Sequence, residues 1–451
     1  MRPPLPRGPY LVVGLGRSGV AASLALRSAA ERVIGIDRVA ISAATASQLR
    51  DAGVEIHTGP DGSELLERVH CVVKSPGVPR EAPVIANALE RRVTVIGELE
   101  LAWRMLEQPF IAVTGTNGKT TTVELIGAIY RAAGLAVEVA GNVGRALSEL
   151  ALAPLAPGTM IVCEASSFQL EDTLEFAPEA AVLLNLTADH LDRHRTIERY
   201  RDAKLRIFAN QPEGSTAVLP DVLVCAGMTG PGVGDEPLAI PGGGEQVLFG
   251  STKRCALRLR DGILHWHDQE LIPAGALGAR GPLANSMAAA AVTLARGAPI
   301  EAVREVLANF KGVAHRLEQV ATIDGVLYVN DSKATNVAST LVALDAFAAG
   351  SVLLILGGRG KGQDFGALRE AVAERAAHTY LIGEDAERIA AALGGLPLTS
   401  AGTLERAVEL ARAASAPGMV VLLSPACASF DQFSDFEARG GAFTALVRGE
   451  G

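Results

Sequence analysis

The segment Gly115–Thr121 combines residue types that together bind a nucleoside triphosphate. Its sequence is Gly-Thr-Asn-Gly-Lys-Thr-Thr, between the apolar run Phe110–Val113 and a segment of helical periodicity. In such a loop the backbone N–H groups surround the phosphates, Lys119 can neutralise them, and the Thr120 hydroxyl can ligate Mg²⁺. A strict phosphate loop has its first glycine where Val113 stands, so the match is incomplete, but the context still predicts triphosphate binding.

A second glycine loop, Gly14-Leu-Gly-Arg-Ser-Gly19, follows the apolar run Tyr10–Val13, and Asp37 ends the next predicted strand. Such glycines let the backbone approach a pyrophosphate at a helix N-terminus, and the acid can hold ribose hydroxyls. The pattern is typical of a nicotinamide dehydrogenase, but a UDP-sugar also carries a diphosphate, and a structural glycine turn is a third interpretation. Because hydride transfer needs no triphosphate site, the other loop argues against a dehydrogenase.

Several polar side chains stand where apolar runs end. Met160–Cys163 is followed by Glu164, and a carboxylate beside a phosphate loop is the usual partner of Mg²⁺. His190 comes shortly after the strand Val182–Leu186, where a side chain points towards the crevice in which ligands bind. We therefore predict that Glu164 and His190 are metal-linked, whereas the pattern around Lys204 alone is that of an ordinary lysine on an amphipathic helix.

Three polar loops follow apolar runs in the last third of the chain: Asn330–Asn336, Gly357–Lys361 and Ser424–Phe433. Any one of them alone could be an ordinary loop. Because the carboxyl ends of parallel strands meet at one edge of a sheet, we expect the three to form a common binding face. Cys427 lies in the third loop, but no His/Asn pattern supports a nucleophile there.

The lysines are few. Of 41 basic residues only seven are lysines, namely Lys74, Lys119, Lys204, Lys253, Lys311, Lys333 and Lys361. An ammonium is a compact point charge whose amine can be deprotonated and modified, which guanidinium cannot. Each lysine is therefore a candidate for a place where arginine would not serve.

Short apolar runs alternate with helical segments along nearly the whole chain, which predicts α/β domains with parallel sheets. At 451 residues the chain is too long for one core. We predict a Rossmann-like domain over residues 1–97, and a central P-loop-type ATPase domain over 98–312. The central domain would carry a small antiparallel insertion at about 227–281, signalled by the turn Asp261-Gly262. A second Rossmann-like domain would cover 313–451.

The composition excludes several classes of protein. The net charge is -9, and no dense Lys/Arg run offers a footprint for nucleic acid. No apolar stretch approaches the roughly 18 residues of a membrane span, and Met1–Pro9 leads into a strand without a signal-like segment. Five cysteines without a Cys-x-x-Cys pair indicate neither a disulfide framework nor a zinc site. We expect a cytoplasmic monomer.

These motifs resemble those of a known family. Gly115–Thr121 resembles the ATP loop of the Mur ligases and the folylpolyglutamate synthases. The pairing of Asn330–Thr335 with Leu423–Phe433 resembles the D-glutamate-adding members of the Mur ligases, and the resemblance extends from Tyr10 to about Phe443. The Asp-Asn-Pro-Arg signature expected of the meso-diaminopimelate-adding members is absent from the sequence.

The resemblance implies an ATP-dependent ligase of peptidoglycan precursor synthesis that joins D-glutamate to the alanyl carboxylate of UDP-N-acetylmuramoyl-L-alanine. The carboxylate would attack the γ-phosphate of ATP, and the D-glutamate amine would then attack the resulting acyl phosphate. The resemblance also implies two Mg²⁺ ions and a carbamylated Lys204, whose amine CO₂ converts into a carboxylate-like ligand. The alternatives are another amide ligase of the same family, such as the L-alanine-adding enzyme, a nicotinamide dehydrogenase, and a nucleotide-gated binding module.

The resemblance further implies roles for individual residues. The catalytic residues would be Lys119, Glu164, His190, Lys204 and Arg316. ATP would be bound by Gly115, Thr116, Asn117, Gly118, Lys119, Thr120, Thr121, Asn285, His315, Arg316 and Asp331. The UDP substrate would be bound by Gly14, Gly16, Arg17, Ser18, Asp37, Arg38, Gly77, Asn142, Ser166 and Gln169. D-Glutamate would be bound by His190, Lys333, Thr335, Lys361, Ser429, Phe430 and Phe436. The metal ligands would be Thr120, Glu164, His190 and the carbamate of Lys204.

One segment departs from the family pattern. The family usually carries a Gly-x-His-Asn-x-x-Asn-like segment after the insertion, whereas this chain has Gly281-Pro-Leu-Ala-Asn285. The His-Asn pair is missing, and we predict that Asn285 stands for the second asparagine.

Overall fold

The structure is a computed structural model that describes residues 2–187, 189–222, 225–226, 238–278, 282–360 and 362–450, with the backbone alone at 191, 192, 225 and 226. Its contacts divide the chain into two compact units. The first unit comprises Met1–Leu186, Glu198–Ile272 and Ala284–Val306. The second unit comprises Thr187–Ile197, Pro273–Leu283 and Leu307–Gly451.

The first sheet is parallel and has five strands in the order β3-β2-β1-β4-β5. The strands are β1 (Tyr10–Val13), β2 (Val33–Asp37), β3 (Glu55–Thr58), β4 (Cys71–Lys74) and β5 (Thr94–Gly97). The helices are α1 (Arg17–Ser28), α2 (Ala43–Asp51), a 3-10 helix (Ser63–Arg68), α3 (Pro83–Glu90) and α4 (Glu98–Met105). β1 and β4 are buried along their whole length, because helices cover both faces of a parallel sheet. The strand order reverses beside β1, which places the first glycine loop at the switch point of the sheet.

The second sheet has nine strands in the order β16-β15-β14-β13-β11-β9-β6-β8-β7. The strands are β6 (Phe110–Thr114), β7 (Val137–Gly141), β8 (Met160–Glu164), β9 (Ala180–Leu183), β11 (Thr216–Pro220), β13 (Glu245–Gly250), β14 (Leu257–Arg260), β15 (Ile263–Trp266) and β16 (Gln269–Pro273). Two short strands lie outside this sheet, β10 (Leu186–Thr187) and β12 (Cys225–Ala226). β6 is buried throughout and lies between β8 and β9, so the loop that follows it emerges from the middle of the sheet.

The predicted antiparallel insertion is smaller than expected. β14 and β15 form an antiparallel hairpin around Asp261 and Gly262, as the turn signal predicts. β13, however, lies within the same predicted segment and pairs in parallel with β11. The prediction was therefore wrong for β13, which continues the parallel sheet.

Several helices lie between β6 and the third sheet in chain order. They are α5 (Lys119–Ala132), α6 (Ser167–Leu170), α7 (Leu191–His194), α8 (Ile197–Leu205), α9 (Leu283–Ala295) and α10 (Ile300–Asn309), with 3-10 helices at Leu147–Leu152, Arg206–Phe208 and Ala274–Ala276. Among the helices that the structure describes, none combines the length and the apolar run needed to cross a membrane.

The third sheet has six strands in the order β17-β18-β22-β19-β20-β21. The strands are β17 (Glu318–Ile323), β18 (Val326–Asn330), β19 (Val352–Gly357), β20 (Ala376–Ile382), β21 (Leu398–Gly402) and β22 (Val420–Leu423). The helices are α11 (Val337–Asp345), a 3-10 helix (Phe365–Leu368), α12 (Arg369–Arg375), α13 (Ala386–Ala392), α14 (Leu404–Ala414) and α15 (Phe436–Arg448). β17 is antiparallel to β18, and the other pairings are parallel. Apolar clusters cover both faces of this sheet.

The prediction of an α/β protein with parallel sheets is confirmed. Each sheet falls within one of the three predicted domains, and the first unit contains two of the sheets almost entirely. The domain limits at 97/98 and 312/313 stay predictions.

Candidate active site

The phosphate loop begins directly where the buried strand β6 ends. Gly115 and Gly118 have φ values of +152° and +87°, which favour glycine. A Cβ on Gly118 would lie 2.1 Å from Oδ1 of Asn285, so any other residue here would displace the Asn285 side chain. Lys119 and Thr120 open α5, whose first N–H groups face the loop. This is a strand–loop–helix cradle of the kind that holds phosphate.

The Lys119 ammonium lies within this cradle. Its Nζ donates to the carbonyl oxygens of Gly115 and Thr116, each at 2.9 Å. The positive charge therefore stands among the backbone groups that would surround a phosphate, as the motif predicts.

Glu164, at the end of β8, meets the same loop. Thr120 Oγ1 donates to Glu164 Oε2 at 2.6 Å, and Asn142 Nδ2 donates to Glu164 Oε1 at 3.1 Å. Glu164 is buried. A hydroxyl and a carboxylate are the hard oxygen donors that Mg²⁺ prefers, so these two side chains fit that ion. Within the described part of the chain no group of three or more His, Cys, Asp or Glu is placed so that it could hold a metal.

Asn185 was missed by the sequence analysis, although it fixes the phosphate loop. Its Oδ1 accepts from Asn117 N at 2.9 Å, and its Nδ2 donates to Asn117 O at 3.1 Å. Its own carbonyl accepts from Thr116 N at 3.2 Å. The available signal was a polar residue just after β9, the strand that pairs with β6.

Lys204 lies against the phosphate loop, and its side chain is 1% exposed. Its Nζ donates to the Gly115 carbonyl at 2.7 Å and lies 4.7 Å from the centroid of the Tyr200 ring. The Tyr200 hydroxyl in turn hydrogen-bonds with Thr116 Oγ1 at 3.0 Å. The interpretation of Lys204 as an ordinary lysine of an amphipathic helix was therefore wrong, because α8 turns this residue inward. Tyr200 was also missed.

His190 belongs to the second unit. Its φ is +52°, its backbone N donates to Asp189 Oδ1 at 2.8 Å, and its Nε2 lies 3.6 Å from Asp189 Oδ2. Asn336 Nδ2 donates to that Oδ2 at 2.9 Å, so an asparagine of the third sheet's loop holds the carboxylate beside His190. Because Lys204 belongs to the first unit, the metal site shared by His190 and Lys204 stays a prediction.

The first glycine loop is held by Asp37. The two carboxylate oxygens accept from Leu15 N at 2.7 Å and from Val39 N at 3.1 Å. Gly14 has φ +86°, and its carbonyl accepts from Ser75 Oγ at 2.6 Å. Among the other residues predicted for this site, Ser18 is half-buried, and the exposed ones are Gly16, Arg17, Arg38 and Gly77.

Ser166 and Gln169 form a capping box at α6. Gln169 Oε1 accepts from both N and Oγ of Ser166 at 2.9 Å, and Ser166 Oγ accepts from Gln169 N at 3.3 Å. Gln169 is buried. The pair therefore has a structural role, and its predicted contact with the UDP substrate stays a prediction.

In the second unit the three predicted loops converge, as expected. β18 and β19 both pair in parallel with β22. Asp331 N donates to Leu423 O at 2.8 Å, and Arg359 exchanges backbone hydrogen bonds of 2.9 Å with Ala428. Lys361 lies outside the described residues.

His315 and Asp331 lie together in this face. His315 N donates to Glu318 Oε2 at 2.7 Å, and Nδ1 is 2.9 Å from Asn330 Nδ2. Asp331 is buried, and it accepts from Leu317 N at 3.2 Å and Ser424 Oγ at 2.8 Å. Burial raises the pKa of Asp331 to about 6, against the opposing charge of the neighbouring Arg316.

The raised pKa of Asp331 predicts a pH-dependent stability. Because the folded state binds this proton more tightly than the unfolded state, whose carboxyl has a pKa near 3.8, stability falls as the pH rises between these values. Relative to Asp331→Asn, the wild-type chain should lose about 2 kcal/mol of unfolding free energy between about pH 4 and pH 7. Urea unfolding at several pH values measures this difference. The matched control is Asp324→Asn, which changes an exposed side chain. If the stability difference between wild type and Asp331→Asn depends on pH no more than that between wild type and Asp324→Asn, the prediction is contradicted.

The predicted amino-acid pocket contains aromatic and cationic groups. Lys333 Nζ lies 4.5 Å from the centroid of the Phe436 ring, and the His315 ring stands edge-on to the same ring at 6.2 Å. Ser429 is buried, whereas Phe430 is 63% exposed. Thr335 N donates a hydrogen bond to Lys333 O at 2.9 Å, which holds Thr335 close to Lys333.

Arg439 connects two of these loops and was missed by the sequence analysis. It donates through Nε to Ser332 Oγ at 3.0 Å and through Nη2 to the carbonyls of Ser332 at 2.8 Å and Cys427 at 3.1 Å. Its side chain is fully buried, and burial lowers its pKa to about 10. No sequence motif distinguishes Arg439 from an ordinary helix residue, because it lies within the helical pattern of α15.

Three family models match successive parts of the sequence. Residues 9–97 match the N-terminal domain of MurD-like Mur ligases, residues 113–225 the Mur ligase middle domain, and residues 315–427 the Mur ligase glutamate ligase domain. Together with the three sheets and the phosphate loop, these matches define the class of protein as a Mur ligase.

Curated relatives narrow the class. The chain is 42% identical over 448 residues to the UDP-N-acetylmuramoylalanine–D-glutamate ligase of Geotalea uraniireducens (strain Rf4), covering 97% of this chain and 96% of that protein. It is 40% identical to the ligase of the same name from Koribacter versatilis (strain Ellin345), with the same coverage. The chain therefore belongs to the UDP-N-acetylmuramoylalanine–D-glutamate ligase family, which confirms the resemblance drawn from its motifs.

Solved structures share the fold. UDP-N-acetylmuramate–alanine ligase MurC from Thermotoga maritima superposes with a TM-score of 0.61 at 20% identity, over 99% of this chain and 100% of that one. The MurF ligase from Thermotoga maritima, in complex with ADP, gives 0.60 at 18% identity, over 99% and 96%.

Proposed function

We propose that this chain joins D-glutamate to the alanyl carboxylate of UDP-N-acetylmuramoyl-L-alanine, with ATP converted to ADP and phosphate, during synthesis of peptidoglycan precursor. The observation that carries the proposal is the phosphate loop, with Thr120 Oγ1 and Glu164 Oε2 held 2.6 Å apart, in a chain so similar to ligases of that name. Membership of the D-glutamate ligase family favours neither a nicotinamide dehydrogenase nor another amide ligase, such as the L-alanine-adding enzyme. We place the reaction in the cytoplasm and the enzyme in solution as a monomer.

The reaction brings together two anions, the alanyl carboxylate and the γ-phosphate of ATP, so the site must supply positive charge. Gly115–Thr121 would hold the triphosphate, with Lys119 neutralising the charge that develops on it. Thr120 and Glu164 would hold Mg²⁺, which supplies further positive charge beside the phosphates. His315, Arg316 and Asp331 would contact adenine, γ-phosphate and ribose, and Asn285 would bind ATP as the second asparagine of the family pattern. A relative of the same fold binds ADP, which supports a nucleotide site of this kind.

We propose that Lys204 is carbamylated and, with His190, holds a second Mg²⁺. The neutral amine would add to CO₂, release a proton and leave a carbamate, which is a carboxylate-like oxygen ligand. The carbamate nitrogen keeps one N–H, so it can retain the 2.7 Å hydrogen bond to the Gly115 carbonyl. An arginine could not undergo this change.

The remaining predicted residues would bind the two other substrates. The UDP moiety would meet the first glycine loop and its neighbours, namely Gly14, Gly16, Arg17, Ser18, Asp37, Arg38 and Gly77, and the muramoyl part would meet Asn142, Ser166 and Gln169. D-Glutamate would be oriented by His190, Lys333, Thr335, Lys361, Ser429, Phe430 and Phe436. These groups position the amine for attack on the acyl phosphate, and no protein nucleophile is needed.

The test of the proposed function is ADP release in the presence of defined substrates. We expect release only when UDP-N-acetylmuramoyl-L-alanine and D-glutamate are both present. Release with UDP-N-acetylmuramate and L-alanine would instead support the L-alanine-adding activity. ATP hydrolysis independent of any amino acid would favour a nucleotide-gated binding module.

Asn185→Ala should weaken ATP binding, because it removes both side-chain hydrogen bonds that fix the Asn117 peptide in the loop. We expect the KM for ATP to rise about tenfold, the equivalent of one or two neutral hydrogen bonds, with little change in the KM for D-glutamate. Steady-state kinetics of ADP release measure both constants. Asn210→Ala is the matched control, since Asn210 also donates to backbone carbonyls but away from the loop. Equal effects of the two substitutions on ATP would refute the role of Asn185.

A further inference from the structure

Lys74 and Asp172 form a fully buried ion pair within the first unit. Lys74 ends β4 of the first sheet, whereas Asp172 follows α6, beside the second sheet. Lys74 Nζ lies 2.7 Å from Asp172 Oδ2, and the two side chains are 0% and 1% exposed. Both charges have lost their hydration, which only close pairing and further hydrogen bonds offset. The two sheets are therefore linked here, since separation would remove the nearest counter-ion of each buried charge. The next charged neighbours are more distant, with Arg80 Nε 3.6 Å from Asp172 Oδ1 and Glu171 Oε1 3.9 Å from Lys74 Nζ.

Lys74 also fixes the loop that follows it. Its Nζ donates to the Val78 carbonyl at 2.9 Å, across a turn in which Val78 N donates to Ser75 O at 3.0 Å. Ser75 Oγ donates in turn to the Gly14 carbonyl at 2.6 Å. One ammonium thus holds the Ser75–Val78 turn, and that turn holds the first glycine loop.

Asp172 connects the pair to the other side of the predicted UDP-substrate site. It lies two residues beyond α6, whose capping box contains Ser166 and Gln169. Gly97 N donates to the Asp172 carbonyl at 3.0 Å, and a Cβ on Gly97 would lie 3.2 Å from the Asp172 Cβ. The chain approaches so closely here that glycine is favoured, and Asp172 has little room to shift.

A second contact joins the same two parts of the unit. Arg17, in the first glycine loop, donates through Nη1 to the Gly144 carbonyl at 2.8 Å, next to the segment that contains Asn142. Lys74 is also one of only seven lysines in a chain that otherwise uses arginine. A compact ammonium with three donors can serve a carboxylate and a carbonyl in one dry position, which a planar guanidinium cannot do in the same space.

We propose that the Lys74–Asp172 ion pair is a positioning element that fixes the first glycine loop relative to the α6 segment, and so sets the affinity for the UDP substrate. This inference rests on the proposed function, because it assumes that both segments bind UDP-N-acetylmuramoyl-L-alanine. Neither residue touches the reacting groups, so both act through the loops that they hold.

The test compares variants that keep the fold but change the link. Lys74→Met with Asp172→Leu replaces the pair by apolar side chains, which commonly preserves stability. Asp172→Asn alone keeps the shape and an acceptor for Lys74 but removes the nearer of its two carboxylates, since Glu171 Oε1 remains 3.9 Å from Lys74 Nζ. The control is Glu55→Gln, which breaks an ion pair with Arg68 on the exposed side of the first sheet. Calorimetric titration with UDP-N-acetylmuramoyl-L-alanine, without ATP or D-glutamate, gives the dissociation constant, and kinetics give KM and kcat.

We expect the double variant to raise the dissociation constant and the KM for the UDP substrate at least about tenfold, with the KM for ATP changed by no more than about twofold. Asp172→Asn should change the UDP constants in the same direction, and Glu55→Gln should leave all constants unchanged. A merely structural pair would alter the melting temperature but not this ratio of constants.

Two other outcomes are distinguishable. If the double variant and Asp172→Asn bind the UDP substrate as the wild type does, the positioning role is refuted while the proposed function stands. If the wild-type chain itself does not bind UDP-N-acetylmuramoyl-L-alanine, the proposed function fails and this inference fails with it. Should the double variant not fold, Asp172→Asn decides between the first two results.

Discussion

Lys119→Ala will abolish amide-bond formation, with a loss on the order of 10³-fold or more in kcat. The Lys119 ammonium stands among the carbonyls of Gly115 and Thr116, in the cradle where the triphosphate is expected. Without it the γ-phosphate would present unscreened charge to an approaching carboxylate. Assays of ADP release and of the joined product measure this effect.

The matched control for this variant is Lys253→Ala, which removes an exposed lysine of the same unit. We expect the control to retain full activity. Both variants should unfold at nearly the wild-type denaturant concentration, because the hydrogen bonds from Lys119 to the Gly115 and Thr116 carbonyls lie within its own loop and each contributes little net stability. Undiminished synthesis by Lys119→Ala would overturn the proposal that this loop energises the substrate.

Lys204→Arg will be nearly as damaging, with a loss on the order of 10³-fold in kcat. Arginine keeps a positive charge and a donor for the Gly115 carbonyl, but it cannot react with CO₂. The variant therefore separates a role for the cation from a role for the carbamate. Steady-state kinetics measure the loss of activity, and carbon-13 NMR of protein incubated with labelled bicarbonate detects the carbamate.

For the wild-type chain we expect a carbamate resonance that Lys204→Arg lacks. Lys311→Arg, at an exposed position, serves as the control and should retain both the resonance and the activity. An active Lys204→Arg, or a wild-type spectrum without the resonance at saturating bicarbonate, would show that the lysine acts as an ordinary ammonium.

The parts of the site that the sequence could predict are those encoded locally. Lys119 and Thr120 stand in one short motif between a strand and a helix, and Glu164 directly ends an apolar run. Strand ends of a parallel sheet share one edge, so Glu164 had to lie near the loop once the strand order placed β8 beside β6. The family of amide ligases followed from motifs of this local kind and is confirmed by the relatives.

The parts that could not be predicted depend on contacts between distant segments. Asn185 and Tyr200 reach the phosphate loop from 68 and 84 residues away, and no local pattern distinguishes them from ordinary strand-end and helix residues. The pattern of α8 resembles that of a solvent-facing helix, so only the packing reveals that Lys204 is buried. β17 lacks a strong apolar run, so its half-buried residues give only a weak strand signal in the sequence.

The division of the chain into units limits how the protein can be dissected into fragments. The backbone passes between the units at five junctions, after Leu186, Ile197, Ile272, Leu283 and Val306. A fragment expressed from Leu307 onward would therefore contain Asn336 but not Asp189, the carboxylate to which Asn336 donates. Anyone preparing the second unit for crystallisation or inhibitor screening would need to graft Thr187–Ile197 back onto it, or work with the whole polypeptide.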